Sequence, residues 1–133
     1  MSGFRRVTDE FWVSPQISVE GIAAAKAQGF TRIINNRPDG ESADQPPSAQ
    51  IEAAARAAGL DYVFAPVSGQ PSPDAIAAVR AATHGSTGKT LAYCRSGTRS
   101  ISTWALGQAG DRDREELIRL ATEAGYDLRP LLA

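Results

Sequence analysis

Seven consecutive residues concentrate the chemistry of this chain: Cys94-Arg95-Ser96-Gly97-Thr98-Arg99-Ser100. A cysteine thiolate is a potent nucleophile, and it forms where amide dipoles and cations favour the charged sulfur. Gly97 lets the backbone turn tightly and present N–H groups with no side chain in the way. Arg99 offers a planar fork of donors suited to phosphate or sulfate-like oxygens. Arg95 adds a second charge nearer the rim, and Ser96, Thr98 and Ser100 add hydroxyl donors. The expected step is in-line attack by Cys94 on an electrophile carried by an anion, with the amide ring stabilising charge. Attack on phosphorus gives a cysteinyl-phosphate, and attack on sulfane sulfur gives a persulfide. A buried structural cysteine is the bland alternative, but it needs none of the arginines, glycine and hydroxyls that follow this one.

The elements around this stretch predict where it sits. Thr90-Leu91-Ala92-Tyr93 reads as a short apolar strand ending at Cys94, and a helix is expected from Ser100 to Ala109. That order turns a helix N-terminus, with its free amides and positive dipole end, back towards the sulfur. Upstream, Phe11-Trp12-Val13 reads as a strand. A helix capped by Ser18 should run to Gln28 with Val19, Ile22, Ala23 and Ala27 inward. Phe30 to Ile34 is a strand, and Ser48 is expected to cap a helix to Ala58 that buries Ile51, Ala54, Ala55 and Ala58. Asp61 to Phe64 is a further strand. Ser72-Pro73 opens a helix whose core face carries Ile76, Val79 and Ala82. Gly85-Ser86-Thr87-Gly88 is a turn, and a last helix spans Asp113 to Ala124. The alternation predicts one α/β domain over residues 1–133, a three-layer sandwich around a mostly parallel sheet.

Such sheets bind ligands outside the carboxyl ends of their strands. Two other strand-end loops converge there. The first supplies Asn35 or Asn36 to shape the cysteine loop, and either Arg37 as a substrate clamp or Asp39 as a general acid. The bland reading of this loop is an Asp39-Gly40 turn with solvated charges. The second loop supplies Ser68 and Gln70 to line the pocket. Asp74 is read as favourable charge at a helix N-terminus, and His84, at a helix end, as a poorly placed base.

Composition bounds the rest. With 14 basic and 15 acidic residues in 133, the net charge of -1 argues against a broad nucleic-acid-binding face. One cysteine and one histidine exclude a disulfide framework and a Cys/His metal site, so no metal or cofactor is expected. Arg5, Arg6, Asp9 and Glu10 near the start predict no secretory leader, and no 18-residue apolar run could span a bilayer. A reactive thiol without a partner suits the reducing cytoplasm.

The residues quoted above carry a family resemblance. The literal loop Cys94 to Arg99 resembles the compact loop of rhodanese-type sulfurtransferases. Protein tyrosine and dual-specificity phosphatases place five residues between cysteine and arginine, a pattern that would put the arginine where this chain has Ser100. The whole chain resembles a small bacterial family with a dual-specificity-phosphatase-like fold, related to a domain of beta-lactamase hydrolase-like proteins. Phe11-Trp12-Val13-Ser14-Pro15-Gln16, Ile33 to Gly40, Tyr62 to Val67, the cysteine loop and Trp104-Ala105-Leu106 carry that likeness. It implies Cys94 as nucleophile, the amides of Arg95 to Ser100 as the anion loop and Arg99 as the arginine. The general acid such phosphatases use would fall in Pro66 to Pro71, where there is no aspartate. Leaving-group protonation is worth about 10²- to 10⁴-fold, and sulfite leaving thiosulfate needs none. The expectation is therefore a sulfurtransferase that takes sulfur from a small anionic donor and passes it to a thiol acceptor. The alternatives are a cysteine phosphatase acting on a phosphorylated substrate and an oxyanion-binding module without turnover.

Overall fold

Five strands build the sheet of this computed structural model, which describes residues 3–85 and 87–132. They are β1 (Arg5–Arg6), β2 (Phe11–Ser14), β3 (Phe30–Asn35), β4 (Asp61–Phe64) and β5 (Lys89–Tyr93). Their spatial order is β1-β2-β5-β3-β4. β2, β5, β3 and β4 run parallel, and β1 closes one edge antiparallel to β2. The last strand in the chain is thus the central one. Ala92 pairs with Val13 on one side and Ile34 on the other.

Helices cover both faces: α1 (Val19–Ala27), α2 (Ser48–Ala57), α3 (Pro73–Thr83), α4 (Thr98–Gly107) and α5 (Arg114–Glu123). Alternate strand residues serve opposite layers. Ile33, Leu91 and Tyr93 pack with Ile22 and Ala25 of α1 and Ile51 and Ala55 of α2. Ile34, Ala92 and Val13 pack with Val79 of α3, Ile101 and Trp104 of α4 and Leu117 of α5. The result is the three-layer α/β sandwich expected. Because both faces of the sheet are buried, its central strands read as apolar runs without alternation.

Three local expectations are corrected. β1 was not anticipated: two exposed arginines carry no strand pattern, and Arg5 and Arg6 are extended because they pair with Val13 and Trp12. In α1 the buried residues are Ile22 and Ala25, while Val19, Ala23 and Ala27 face solvent. Alanines carry too little apolar bias to set a helix's rotation, and the larger Ile22 decides it. Ser48 is the first residue of α2 and not its cap; Pro47 holds the cap position without a side-chain bond. The Ser48 amide instead donates to Asp39 Oδ1 at 2.7 Å, and its hydroxyl pairs with the Tyr62 hydroxyl at 2.6 Å. The turn expected at Gly85 to Gly88 includes Ser86, which lies outside the described residues.

Candidate active site

Cys94 follows directly on the central strand and is fully buried. Its amide donates to the Ser14 carbonyl at 3.4 Å, so the sheet's hydrogen bonding carries the cysteine into place. The chain then reverses through Gly97, whose φ of 97° lies in the left-handed region, and α4 begins at Thr98. The Gly97 N–H donates to Cys94 Sγ at 3.1 Å. A donor aimed at sulfur, at a helix N-terminus, stabilises negative charge there.

An anion cradle needs its N–H groups turned inward and its carbonyls turned out. The Arg95 carbonyl accepts from the Gln16 amide at 3.3 Å, and the Ser96 carbonyl accepts from the Tyr126 hydroxyl at 2.9 Å. Gly97 O and Arg99 O face along α4, accepting from the Ile101 amide and the Thr103 hydroxyl. A side chain at position 97 would collide with the Tyr126 hydroxyl, so glycine is required there by space as well as by φ. Burial pushes the Tyr126 phenol up from its ordinary value, and the Arg5 guanidinium 5.6 Å from its ring centre opposes that shift. The phenol therefore remains a donor at neutral pH. Ser100 is fully buried, and its hydroxyl has no hydrogen-bond partner among the described residues.

The arginines meet at one carboxylate. Arg99 Nη1 and Nη2 donate to Glu41 Oε2 and Oε1 at 2.7 and 2.8 Å, and Nη1 also donates to the Val67 carbonyl at 2.8 Å. Arg37, 3% exposed, donates through Nε to Glu41 Oε1 at 3.0 Å and through Nη1 to Gln16 Oε1 at 3.1 Å. The hydrogen bond from Arg99 leads the shift that takes Glu41 down from 4.5 to about 2. Glu41 in turn raises Arg99, and the nearby Cys94 charge adds to that. The guanidinium of Arg99 is thus held by Glu41 and the Val67 carbonyl.

The strand-end asparagines hold this arrangement together. Asn35 Nδ2 donates to the Tyr62 hydroxyl at 3.0 Å, and its Oδ1 accepts from the Arg37 amide at 2.8 Å. The Asn36 amide donates to the Tyr93 carbonyl at 2.8 Å, and its Nδ2 donates to the Ala65 carbonyl at 2.8 Å. Asn36 therefore ties the ends of β3, β4 and β5, one residue from Cys94. Its Oδ1 is buried without a partner.

Asp39 and the other polar residues singled out from the sequence lie in the neighbouring loops and at the ends of α3. Asp39 spends a carboxylate oxygen on the first amide of α2. Ser68 and Gln70 are exposed, and among the described residues their side chains have no hydrogen-bond partner. Asp74 lies in the first turn of α3, and His84 is at its far end, 3.7 Å from the Asp111 carboxylate. Glu41, Gln16 and Tyr126 carry functional contacts that motif reading passed over. For Glu41 the signal was its spacing from Arg37, an i,i+4 pair. Nothing local pointed to the other two.

The family model for the phosphatase-like domain of beta-lactamase hydrolase-like protein matches residues 3–111. This chain belongs to that family. A beta-lactamase hydrolase-like protein of Agrobacterium fabrum is 36% identical over 126 residues, covering 92% of this chain and 29% of that protein. One from Xylella fastidiosa is 36% identical over 125 residues, again covering 92% and 29%. The chain therefore spans under a third of the curated relatives it matches. Among solved structures, a proposed phosphatase from Neisseria meningitidis is similar with a TM-score of 0.84 and 29% identity, covering 99% of this chain and 94% of that one. TpbA of P. aeruginosa, seen in complex with pTyr, shares the fold at a TM-score of 0.62 and 13% identity, covering 93% and 75%.

These relatives correct the expected activity. The matched domain is phosphatase-like, and the Neisseria structure is that of a proposed phosphatase, so the family favours phosphoric-ester hydrolysis over the expected sulfur transfer. Spacing along the loop does not by itself fix where the arginine's guanidinium lies. One residue fewer before the arginine changes the loop's spelling, yet Arg99 still stands in the first turn of α4 with its guanidinium on Glu41 and the Val67 carbonyl. Among the described residues, no helix is long and apolar enough to cross a membrane.

Proposed function

We propose that this domain hydrolyses phosphate monoesters through a cysteinyl-phosphate on Cys94. The observation that carries the reading is the Gly97 N–H held on a buried Cys94 sulfur at the start of α4, whose first turn carries Arg99. The Cys94 thiolate attacks phosphorus in line, the S–P bond forms and the P–O bond to the leaving group breaks. The inward amides of the loop and Arg99 take the charge on the non-bridging oxygens. Water then attacks phosphorus, the P–S bond breaks, and inorganic phosphate and the thiolate are released. Phosphotyrosine, the ligand of the fold neighbour TpbA, is a fitting first substrate because its phenolate leaves more readily than an alkoxide.

Protonation of the leaving group is the weak step. Asp39 is the candidate acid, and its Oδ1 is engaged by the Ser48 amide. With a competent acid the rate is nearly indifferent to the leaving group; without one it rises steeply as the leaving phenol becomes more acidic. The test is turnover of a series of aryl phosphates, with rapid acid quench and intact-mass measurement. A Cys94-dependent adduct of about 80 Da and loss of turnover in Cys94→Ser are expected. Full turnover in Cys94→Ser, or no turnover of any aryl phosphate, would sink the reading. A steeper leaving-group dependence in Asp39→Asn would assign the acid to Asp39, and an unchanged slope would remove it from that role.

A further inference from the structure

We infer that Arg95 and the groove beside it form a subsite for a second anionic group on the substrate. This rests on the phosphatase reading and narrows it to phosphate monoesters whose body carries a further carboxylate or phosphate. Among the described residues, Arg95 is the one cationic side chain with no acceptor. Every other arginine and lysine there has a carboxylate, a carbonyl or an aromatic ring as partner. Arg95 is exposed, one residue after the nucleophile, and the Gln16 amide anchors its carbonyl.

Its side chain lines a cavity of about 260 Å³ with Gln16, Arg37, Ser42, Asp44, Gln45 and Pro46. Pockets that enclose a whole small ligand run to roughly 300–1,000 Å³, so this one suits a substituent of a substrate already bound at Cys94. The other polar walls are occupied with one another. Gln16 accepts from Arg37 and donates to the Ile17 carbonyl. Gln45 accepts from the Glu41 amide and donates to the Pro38 carbonyl. Ser42 accepts from Arg37 and donates to Asp44 Oδ1. Arg37 is matched by Glu41. What remains unmatched in a prebuilt wall is the Arg95 guanidinium, a fork shaped for carboxylate or phosphate. Asp44, the one carboxylate of the lining, is bonded to Ser42 and disfavours an anion placed against it.

The experiment measures binding to the Cys94→Ser protein by calorimetry. The probes are meta-carboxyphenyl phosphate, its neutral isostere meta-carbamoylphenyl phosphate, and meta-phenylene bisphosphate, which separates carboxylate from phosphate as the second anion. The carboxylate should bind about three- to fivefold more tightly than the amide, the upper range for an exposed ion pair. Arg95→Gln, added to that background, should bring the ratio to about one, whatever it does to both affinities. Higher salt should shrink the ratio. An unchanged melting temperature in Arg95→Gln shows that the fold is intact. A ratio near one with Arg95 present, a ratio that survives Arg95→Gln, or no binding of any probe would overturn the subsite. Phosphatase failure is read separately, from aryl phosphate turnover with Cys94 intact.

Discussion

The loops after β5 and β3 leave neighbouring parallel strands side by side, yet they are built on opposite principles. In the β5 loop the carbonyls are capped from outside, while Ser100 Oγ is left buried without a partner. In the β3 loop most polar groups are matched, Asn36 Oδ1 excepted: Arg37 with Glu41, Gln16 and Ser42, Asn35 with Tyr62, Asp39 with Ser48. Matched polar groups make a rigid wall, and unmatched ones make a receptor. The two loops meet where Glu41 takes Arg99 from one and Arg37 from the other.

Breaking the receptor side should have the largest effect. Cys94→Ser should remove turnover by several orders of magnitude with little change in melting temperature, measured with an aryl phosphate and by thermal denaturation. Next comes Arg99→Lys, which replaces a fork by a point charge. It should lower kcat by about 10²- to 10³-fold, the range for losing one donor to transition-state charge. Gly97→Ala adds a side chain where φ is 97° and where Tyr126 already sits. A cost of about 1–3 kcal/mol in unfolding free energy is expected from the backbone alone, together with loss of activity. Pairing it with Tyr126→Phe, which takes away the hydroxyl it strikes, should recover part of both. If the double variant gains nothing, the collision is not the cause.

Breaking the link between the loops tests the wall. The Glu41 carboxyl is lowered from 4.5 to about 2, so its stabilising contribution is complete above about pH 4.5 and fades as pH falls towards 2. Glu41→Gln should flatten the melting temperature against pH across that window; an unchanged acid limb would contradict the linkage. The smallest effect belongs to Tyr126→Phe. Losing one hydrogen bond of about 0.5–1.5 kcal/mol should lower kcat/KM roughly three- to tenfold. The melting temperature should barely move, because Tyr126 is only half-buried and its ring remains in place.

Chain separation explains what could be read in advance. The nucleophile loop is contiguous, so residue types alone reveal Cys94, Gly97 and Arg99. Ser18 and Ser72 cap α1 and α3 as expected because capping is local: their hydroxyls accept from Gly21 and Ala75, three residues on. Asp39 caps α2 across nine residues of chain, and no window of helical length reveals that. Glu41 reaches Arg99 across 58 residues, and Tyr126 reaches Ser96 across 30. Such pairs exist only after the sheet has formed.

The amino-acid sequence by itself determined the alternation of elements, the three-layer class and Cys94 at the mouth of a helix, because hydrophobic period and turn chemistry act over a few residues. It also determined the family. Only the tertiary structure decided that β5 is central, that Arg99 is taken by Glu41 and the Val67 carbonyl, and that Arg95, alone among the described cations, keeps an unmatched charge. Those outcomes depend on which distant carboxylates and carbonyls come within hydrogen-bonding range, and strand order settles that, not spacing along the chain.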